Sequence, residues 1–179
     1  MDARNPGRGP QNQGRTEPGG FGAPDRAERI SSALAAAERK CSAEGLRLTP
    51  ARRRVLEILL QENRAMGAYE MLERMKEEGL GAQPPAAYRA LDFLVNHGFA
   101  HRIEVANAFV ACAMPGETEM PAFLYCRGCG AVAQTTAPGP GGPLAGVAEA
   151  TGFGIETTVV EARGLCPTCL SNGADPRAI

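Results

Sequence analysis

Residues 84–112 read PPAAYRALDFLVNHGFAHRIEVANAFVAC, and the spacing of their apolar residues changes from helical to strand-like along the stretch. In the first half, the apolar side chains that recur at helical spacing are Ala87, Leu91 and Leu94. The second half reads as two short strands that meet at a turn formed by Ala106 and Asn107. A helix that leads directly into a hairpin is typical of a winged helix-turn-helix.

Three more helices are predicted upstream of this stretch. The first covers residues 26–45, where an apolar stripe ends at a glycine. The second begins with Thr49 as its N-cap and Pro50 at its first position. The third covers residues 68–79. Four helices followed by a hairpin predict an N-terminal winged-helix domain over residues 27–113.

The turn of the hairpin determines which of its residues face each other. With a two-residue turn, Val105 lies opposite Ala108, and counting outward places His101 opposite Cys112, to within one residue. Directly opposed side chains lie about 5 Å apart at Cβ. An imidazole and a thiolate at that separation can share one metal ion, so we expect a metal site on the hairpin.

The composition describes a chain without membrane or export signals. Its 179 residues are 44% hydrophobic, enough to build the core of one domain or two small ones, and its net charge is −1. No stretch approaches the roughly 20 consecutive apolar residues that cross a bilayer. We therefore expect a cytoplasmic protein without membrane contact, in which the paired cysteines among the six serve metal binding or redox chemistry rather than disulfides.

The segments outside the predicted winged helix differ from it in composition. Residues 1–26 are dominated by Gly, Pro and polar side chains, which predicts a disordered tail. Small residues and carboxylates over 114–121 predict a hinge. Residues 122–171 read as two strands, a helix and a third strand over 153–164, which together form a small α/β domain, and 172–179 are predicted to be a flexible tail. The predicted fold class is α+β.

Two Cys-x-x-Cys pairs lie in this second domain, in LYCRGCGAVAQ at 124–134 and in LCPTCL at 165–170. Cysteines at this spacing direct their sulfur atoms to one ion, and two such pairs complete the tetrahedron of a structural zinc site. The four predicted ligands are Cys126, Cys129, Cys166 and Cys169. A redox dithiol and plain buried cysteines are the alternatives, but a redox pair usually lies at a helix start, and neither pair here precedes a clear helix. A closed four-cysteine site stabilises the fold and leaves no position for a substrate.

Basic residues are concentrated in the predicted winged helix. Arg52, Arg53 and Arg54 occupy the first turn of the second helix, where the positive end of the helix dipole disfavours cations unless an anion lies nearby. DNA phosphate would be such an anion, although a solvated charged face explains the same arginines. Arg89, on the outward side of the fourth helix, can contact a guanine edge if that helix enters the major groove.

The chain contains, in order, the motifs LRLTPARRRVLEIL, AYEMLERM, PPAAYRALDFL, GFAHRIE, FVAC and CRGCGAV followed by GLCPTC. Together they resemble the ferric uptake regulator family, in particular its zinc uptake regulator branch, over about residues 29–170. The resemblance implies a dimeric, metal-dependent repressor with an N-terminal winged helix and a C-terminal dimerisation domain. It also implies that the four cysteines bind structural zinc and that Tyr69 and Arg89 contact DNA.

The resemblance further implies a sensing metal site in the hinge, formed in the zinc branch by a His, a Cys, a second His and a Glu. His101 and Cys112 match the first two ligands. Glu119 occupies the position of the second His, and Glu117 is the alternative residue for that position. Gln134 replaces the Glu. We therefore expect a regulatory zinc on His101, Cys112 and Glu119 that binds more weakly than a four-ligand site.

These features predict a zinc-responsive repressor of zinc uptake genes that is not an enzyme. It would bind a pseudo-palindromic double-stranded DNA operator as a homodimer. One alternative is a regulator of the same fold whose altered hinge responds to another metal, to oxidation or to nothing. A weaker alternative is a hydrolase with a three-ligand zinc, because no general base accompanies the predicted ligands.

Overall fold

The computed structural model of the protein describes residues 26–62, 64–79, 84–113, 120–137 and 142–175. Nearly all of the tail predicted over 1–26 and most of the hinge predicted over 114–121 lie outside these ranges, as does the end of the tail predicted over 172–179. The predicted α+β class is confirmed. The elements are α1 Arg26–Ala43, α2 Pro50–Glu62, α3 Ala68–Glu77, α4 Pro84–Asn96, β1 Ala100–Ile103, β2 Ala108–Ala111, β3 Pro121–Cys126, β4 Val132–Thr136, α5 Ala145–Thr151, β5 Val160–Gly164 and α6 Pro167–Ser171.

The four predicted N-terminal helices are present and share one apolar core. α2 begins as its sequence predicts, because the Thr49 hydroxyl accepts a hydrogen bond from the Arg52 amide at 3.4 Å and Pro50 is the first helical residue. α4 ends two residues before Gly98, whose φ of +72° suits glycine. The apolar residues at helical spacing in α1, α2 and α4 are buried, except for Ile30, which is partly buried; the buried ones are Leu34, Ala37, Cys41, Val55, Ile58, Leu59, Ala87, Leu91 and Leu94.

The hairpin differs from the prediction in its turn and its register. Strands β1 and β2 pair with His101 opposite Val110, so the predicted pairing of His101 with Cys112 is wrong. A two-residue turn of this kind needs positive φ at both positions, which alanine disfavours. The chain instead forms a 3-10 turn over Glu104–Ala106 and takes a positive φ of 46° at Asn107 alone. The longer turn shifts the register by two residues.

The hairpin, which we call the wing, packs against the N-terminal helices on one face and against the C-terminal sheet on the other. One face carries Ala100 and Phe109 into the core of the helices. The other face carries Ile103 and Val110 into a second apolar cluster with Phe123 of β3. Because alternate strand residues point to opposite faces, His101 and Val110 also lie on the face directed at β3. Cys112 follows the end of β2, and its sulfur lies 3.8 Å from Nε2 of Gln134 in β4.

The C-terminal half contains the predicted order of two strands, a helix and a strand. Its sheet has the order β4-β3-β5, with β3 antiparallel to β4 and parallel to β5. The last strand is shorter than the predicted 153–164, because β3 is only six residues long and its last five residues pair with Val160–Gly164. None of the helices described here is long and apolar enough to span a membrane.

Candidate metal centres and DNA-binding surface

The two Cys-x-x-Cys pairs meet at the end of β3. Cys126 ends that strand and Cys129 follows in the next turn, while Cys166 directly precedes α6 and Cys169 lies within it. All four sulfur atoms lie within 4.8 Å of one another, and those of Cys129 and Cys166 are 3.7 Å apart. A zinc ion with four Zn–S bonds of about 2.3 Å holds its sulfurs about 3.8 Å apart. The cluster therefore fits a tetrahedral zinc ion.

Strand pairing and a glycine bring the two pairs together. β5 runs parallel to β3 with Gly164 opposite Cys126, which carries the second pair to the end of β3. The Cys166 amide donates a hydrogen bond to Cys126 Sγ at 3.2 Å. A Cβ at Gly128 would lie 3.0 Å from Cys169 Sγ and 3.2 Å from a methyl carbon of Leu165. Glycine at position 128 therefore leaves the room that the fourth sulfur needs.

The second cysteine pair lies at the start of a short helix, which differs from the prediction. The pair was predicted not to precede a helix, yet α6 begins at Pro167, directly after Cys166. Five residues are too few to show an apolar period, so the proline at the first helical position is the signal that could have revealed it. The sulfur geometry still favours a metal site over a redox dithiol, because all four cysteines converge on one point.

The ionisation of the cysteines also favours a bound cation. Burial raises the pKa of the Cys126 thiol, but hydrogen bonds from the backbone amides of Cys166, Cys129 and Gly128 outweigh burial and lower this pKa to about 6. In contrast, the neighbouring thiols of Cys166 and Cys126 raise the pKa of Cys169 to about 12. Four thiolates at this spacing repel one another, and a divalent cation between them compensates that repulsion.

His101 lies where the wing contacts the C-terminal sheet. Its ring packs against that of Phe123, with 4.8 Å between the centroids. The Nε2 atom is buried and has no hydrogen-bond partner among the described residues. Burial also lowers the pKa of the imidazole, which favours its neutral form. A buried, neutral imidazole with an unpartnered nitrogen is the form of histidine that binds a metal.

Cys112 and Gln134 lie at the same contact between the halves. Gln134 is buried, accepts a hydrogen bond from the Ala113 amide at 2.9 Å and places Nε2 3.8 Å from Cys112 Sγ. The amide nitrogen is a hydrogen-bond donor and not a metal ligand, but an oxygen at this position would lie near the roughly 3.5 Å that separates a sulfur and an oxygen bound to one zinc ion. Glu117 and Glu119 fall outside the described residues, and within the described ranges no acidic side chain joins His101 and Cys112 in a three-ligand group.

The surface predicted to bind DNA comprises parts of α2, α3 and α4. Arg89 and Tyr88 of α4 are exposed, and Tyr69 in the first turn of α3 is 76% exposed. Arg52 is half-buried, because its guanidinium lies 3.6 Å above the Phe93 ring and donates a hydrogen bond to the Arg47 carbonyl at 2.6 Å.

The other two arginines of the triplet also have partners within the chain. Arg53 pairs with Glu38 of α1 at 3.3 Å. Arg54 forms two hydrogen bonds of 2.5 Å to the carboxylate of Glu78 and a 2.8 Å ion pair with Glu57. Each of the three arginines could belong to a solvated charged face or contact DNA. To contact DNA, each would have to leave its present partner, and the cost of leaving differs among the three.

Phe123 and Glu161 also contact the wing, although no sequence pattern marks either residue as functional. The Glu161 carboxylate accepts hydrogen bonds from the amides of Glu104 and Val105 at 2.9 and 3.0 Å. Strand alternation could have placed both side chains on one face of the sheet, but only the register between β3 and β5 shows that they are neighbours.

The chain is similar to several known regulators. Over residues 43–163 it matches a family model described as the ferric uptake regulator family. It is 38% identical over 138 residues to the zinc uptake regulation protein of Escherichia coli strain K12, covering 76% of this chain and 81% of the relative. A structure of a zinc uptake regulator complexed with zinc and DNA is 37% identical, with a TM-score of 0.76 over 82% of this chain and 98% of that one. The crystal structure of holo XcZur is 38% identical, with a TM-score of 0.70 over 78% and 98% of the two chains.

Proposed function

The chain belongs to the ferric uptake regulator family, and we propose that it is a zinc-responsive, DNA-binding repressor of zinc uptake genes. Its relatives are named as regulators of zinc uptake, and one of them was solved with both zinc and DNA. The observation that carries the proposal is the buried Nε2 of His101, which has no hydrogen-bond partner among the described residues and lies at the contact between the wing and the C-terminal sheet. A metal bound there would connect the two halves.

We assign the structural zinc to the four cysteines at the end of β3. The convergence of their sulfur atoms supports this assignment, and a site closed by four protein ligands has no position for substrate. The zinc would hold the end of β3 to the start of α6. The loop that carries Cys129 contacts the N-terminal half, because the Gly130 carbonyl accepts a hydrogen bond from the Ala65 amide at 2.9 Å.

The DNA-binding surface would act as one half of a symmetric pair. A homodimer presents two copies of α4 and therefore binds a pseudo-palindromic operator in double-stranded DNA. We propose that Arg89 contacts a base edge, that Tyr69 contacts the same operator and that Arg52 contacts the phosphate backbone. The exposure of Arg89 and Tyr69 supports this division of roles. A protein that regulates genes in this way would act in the cytoplasm.

The regulatory zinc would be bound by His101, Cys112 and one hinge glutamate, Glu119 or Glu117. The Cys112 thiolate and one carboxylate together carry a charge of −2, which balances the charge of the zinc ion. Gln134 offers an amide where a carboxylate would complete the site, so the site would bind zinc less tightly than one with four strong ligands. Zinc bound here would hold the wing on the sheet and thereby fix the spacing of the two α4 helices in the dimer.

The alternatives are less well supported. The relatives described above are regulators, which argues against the zinc hydrolase. A regulator whose hinge responds to another metal or to oxidation is favoured by one observation, the amide of Gln134 beside the Cys112 sulfur. Soft thiolate and imidazole ligands also suit copper and other transition metals, so Gln134 weakens the preference for zinc without removing it.

The experiment that tests the proposal combines metal content with DNA binding. The purified chain should retain about one zinc after treatment with a weak chelator and bind close to a second in zinc-buffered solution. Its affinity for an operator should rise with the second equivalent. A chain that binds the operator equally well with one and two equivalents would contradict the proposed regulation while leaving the structural site intact.

A further inference from the structure

The wing-facing side of the C-terminal sheet carries one row of neighbouring side chains. Phe123 of β3 pairs with Gln134 of β4 on one side and with Glu161 of β5 on the other. Because paired residues point to the same face of a sheet, the three side chains lie side by side. The row therefore crosses the whole width of the sheet.

Each side chain of this row contacts a different part of the wing. Gln134 binds the backbone where β2 has ended, at Ala113. Phe123 packs against His101 in the middle of the wing. Glu161 binds the wing tip, where its carboxylate accepts the amide hydrogens of Glu104 and Val105.

The contact of Glu161 is chemically different from the other two. Its acceptor is a charged carboxylate, which makes stronger hydrogen bonds than a neutral amide or an aromatic ring. Its donors are the first two amides of the 3-10 turn Glu104–Ala106, groups that have no acceptor within their own turn. The contact uses no residue of either proposed metal site.

Building on the proposed function, we propose that Glu161 is a positioning residue for DNA binding. By holding the wing tip on β5, its carboxylate stabilises the orientation of the winged helix that binds the operator, independently of metal in the hinge. This orientation is the one described here, and it is similar to that of the zinc uptake regulator complexed with zinc and DNA. α4 follows the wing because it packs directly against β1.

The effect of losing the Glu161 contact follows from its thermodynamic linkage to zinc binding in the hinge. Hinge zinc and Glu161 would stabilise the same orientation of the two halves, so removing one weakens the binding that depends on the other. The Glu161→Ala variant should therefore bind hinge zinc roughly tenfold more weakly even without DNA, the order expected from losing two charge-assisted hydrogen bonds in a half-exposed site. Saturating zinc should restore most of its operator affinity.

The test compares Glu161→Ala and Glu161→Gln with Glu156→Ala, which removes an exposed carboxylate from the segment before β5. All are studied as full chains that retain the zinc of the four cysteines. With the hinge free of metal, we expect faster amide exchange at Glu104 and Val105 and a larger radius of gyration by small-angle X-ray scattering in the two Glu161 variants only. Zinc titration without DNA should show the weaker hinge site.

Two outcomes overturn the proposal. One is a radius of gyration and a hinge zinc affinity in Glu161→Ala that equal those of Glu156→Ala. The other is a fall in operator affinity that saturating zinc does not reverse, accompanied by a lower melting temperature, because that pattern describes damage to the fold. If operator binding of the unmodified chain does not respond to zinc, the proposed function fails, yet amide exchange and scattering still decide the role of Glu161.

Discussion

The imidazole of His101 in the wing packs against the ring of Phe123 in the C-terminal sheet, with 4.8 Å between centroids and 52° between planes. The two residues belong to different halves of the molecule, so this contact holds the ring of a candidate metal ligand at the joint between them. The Nε2 atom remains buried without a partner in the described structure. A metal ion bound to Nε2 would therefore lie at the contact between the two halves.

The four-cysteine cluster predicts a large loss of stability when one ligand is removed. Cys126→Ser or Cys169→Ser should release the tightly held zinc, unfold the C-terminal half and abolish dimerisation. Structural zinc contributes on the order of 10 kcal/mol to folding, which is comparable to the whole stability of a small domain. Metal analysis measures the release of zinc, and sedimentation measures the loss of dimerisation. Variants that fold and dimerise normally without this zinc would contradict the assignment.

Gly128 predicts a milder effect on the same site. Gly128→Ala should weaken zinc retention, because the new methyl group would lie 3.0 Å from Cys169 Sγ. Gly154→Ala is the matched control, since a Cβ there meets no atom within 4 Å. The rate of zinc loss to a coloured chelator compares the two variants. Equal rates would show that the cluster accommodates the methyl group.

Substitutions at Arg89 and Arg52 should change DNA binding in different ways. Arg89→Ala should cost about 1–3 kcal/mol on the operator and reduce discrimination between sequences. Arg52→Ala should weaken operator and random DNA by the same factor, as expected for a phosphate contact. Titrations on both DNAs separate the two roles. An Arg89→Ala protein that binds its operator like the unmodified chain would contradict the placement of α4.

The Arg52 variant needs a separate measurement of stability. Its guanidinium packs on Phe93 and donates a hydrogen bond to the Arg47 carbonyl, so its removal should also cost about 0.5–1 kcal/mol of folding free energy. Chemical denaturation gives this number independently of DNA. Arg53→Ala is the control, because Arg53 makes only an exposed ion pair with Glu38 in the described structure.

Gln134 predicts a gain of function in the hinge. Gln134→Glu should tighten hinge zinc and lower the free zinc concentration at which operator binding begins, because a carboxylate oxygen would then lie beside Cys112 Sγ. The same change buries a charge in the metal-free protein, so the melting temperature should fall without hinge zinc and recover with it. Calorimetry at controlled free zinc measures the recovery. A melting temperature that zinc leaves low would contradict a role for position 134 in this site.

Local sequence signals were sufficient for the helices and the cysteine site. Capping at Thr49 and Pro50 predicted the start of α2, and helical spacing of apolar residues predicted the buried faces, because both depend on interactions within a few residues. The paired cysteines predicted that four sulfur atoms meet at one point, because each Cys-x-x-Cys pair directs both of its sulfurs to the same side.

Features that depend on contacts between distant segments could not be predicted in the same way. The register of the wing follows from a 3-10 turn that no short motif encodes, and the extent of β5 follows from the length of β3. The contact of Glu161 with Glu104 joins residues 57 positions apart and depends on both features. Sequence spacing alone therefore placed His101 and Cys112 on one hairpin but predicted the wrong residue opposite His101.

The most direct test of the central claim is operator affinity across a range of buffered free zinc, measured for the unmodified chain and for His101→Ala. Both proteins should retain the zinc of the four cysteines, which metal analysis verifies. We predict that the unmodified chain binds its operator more tightly as free zinc rises, whereas the affinity of His101→Ala stays low and constant. Affinity that responds to zinc equally in both proteins, or in neither, would contradict regulation through the contact between His101 and the C-terminal sheet.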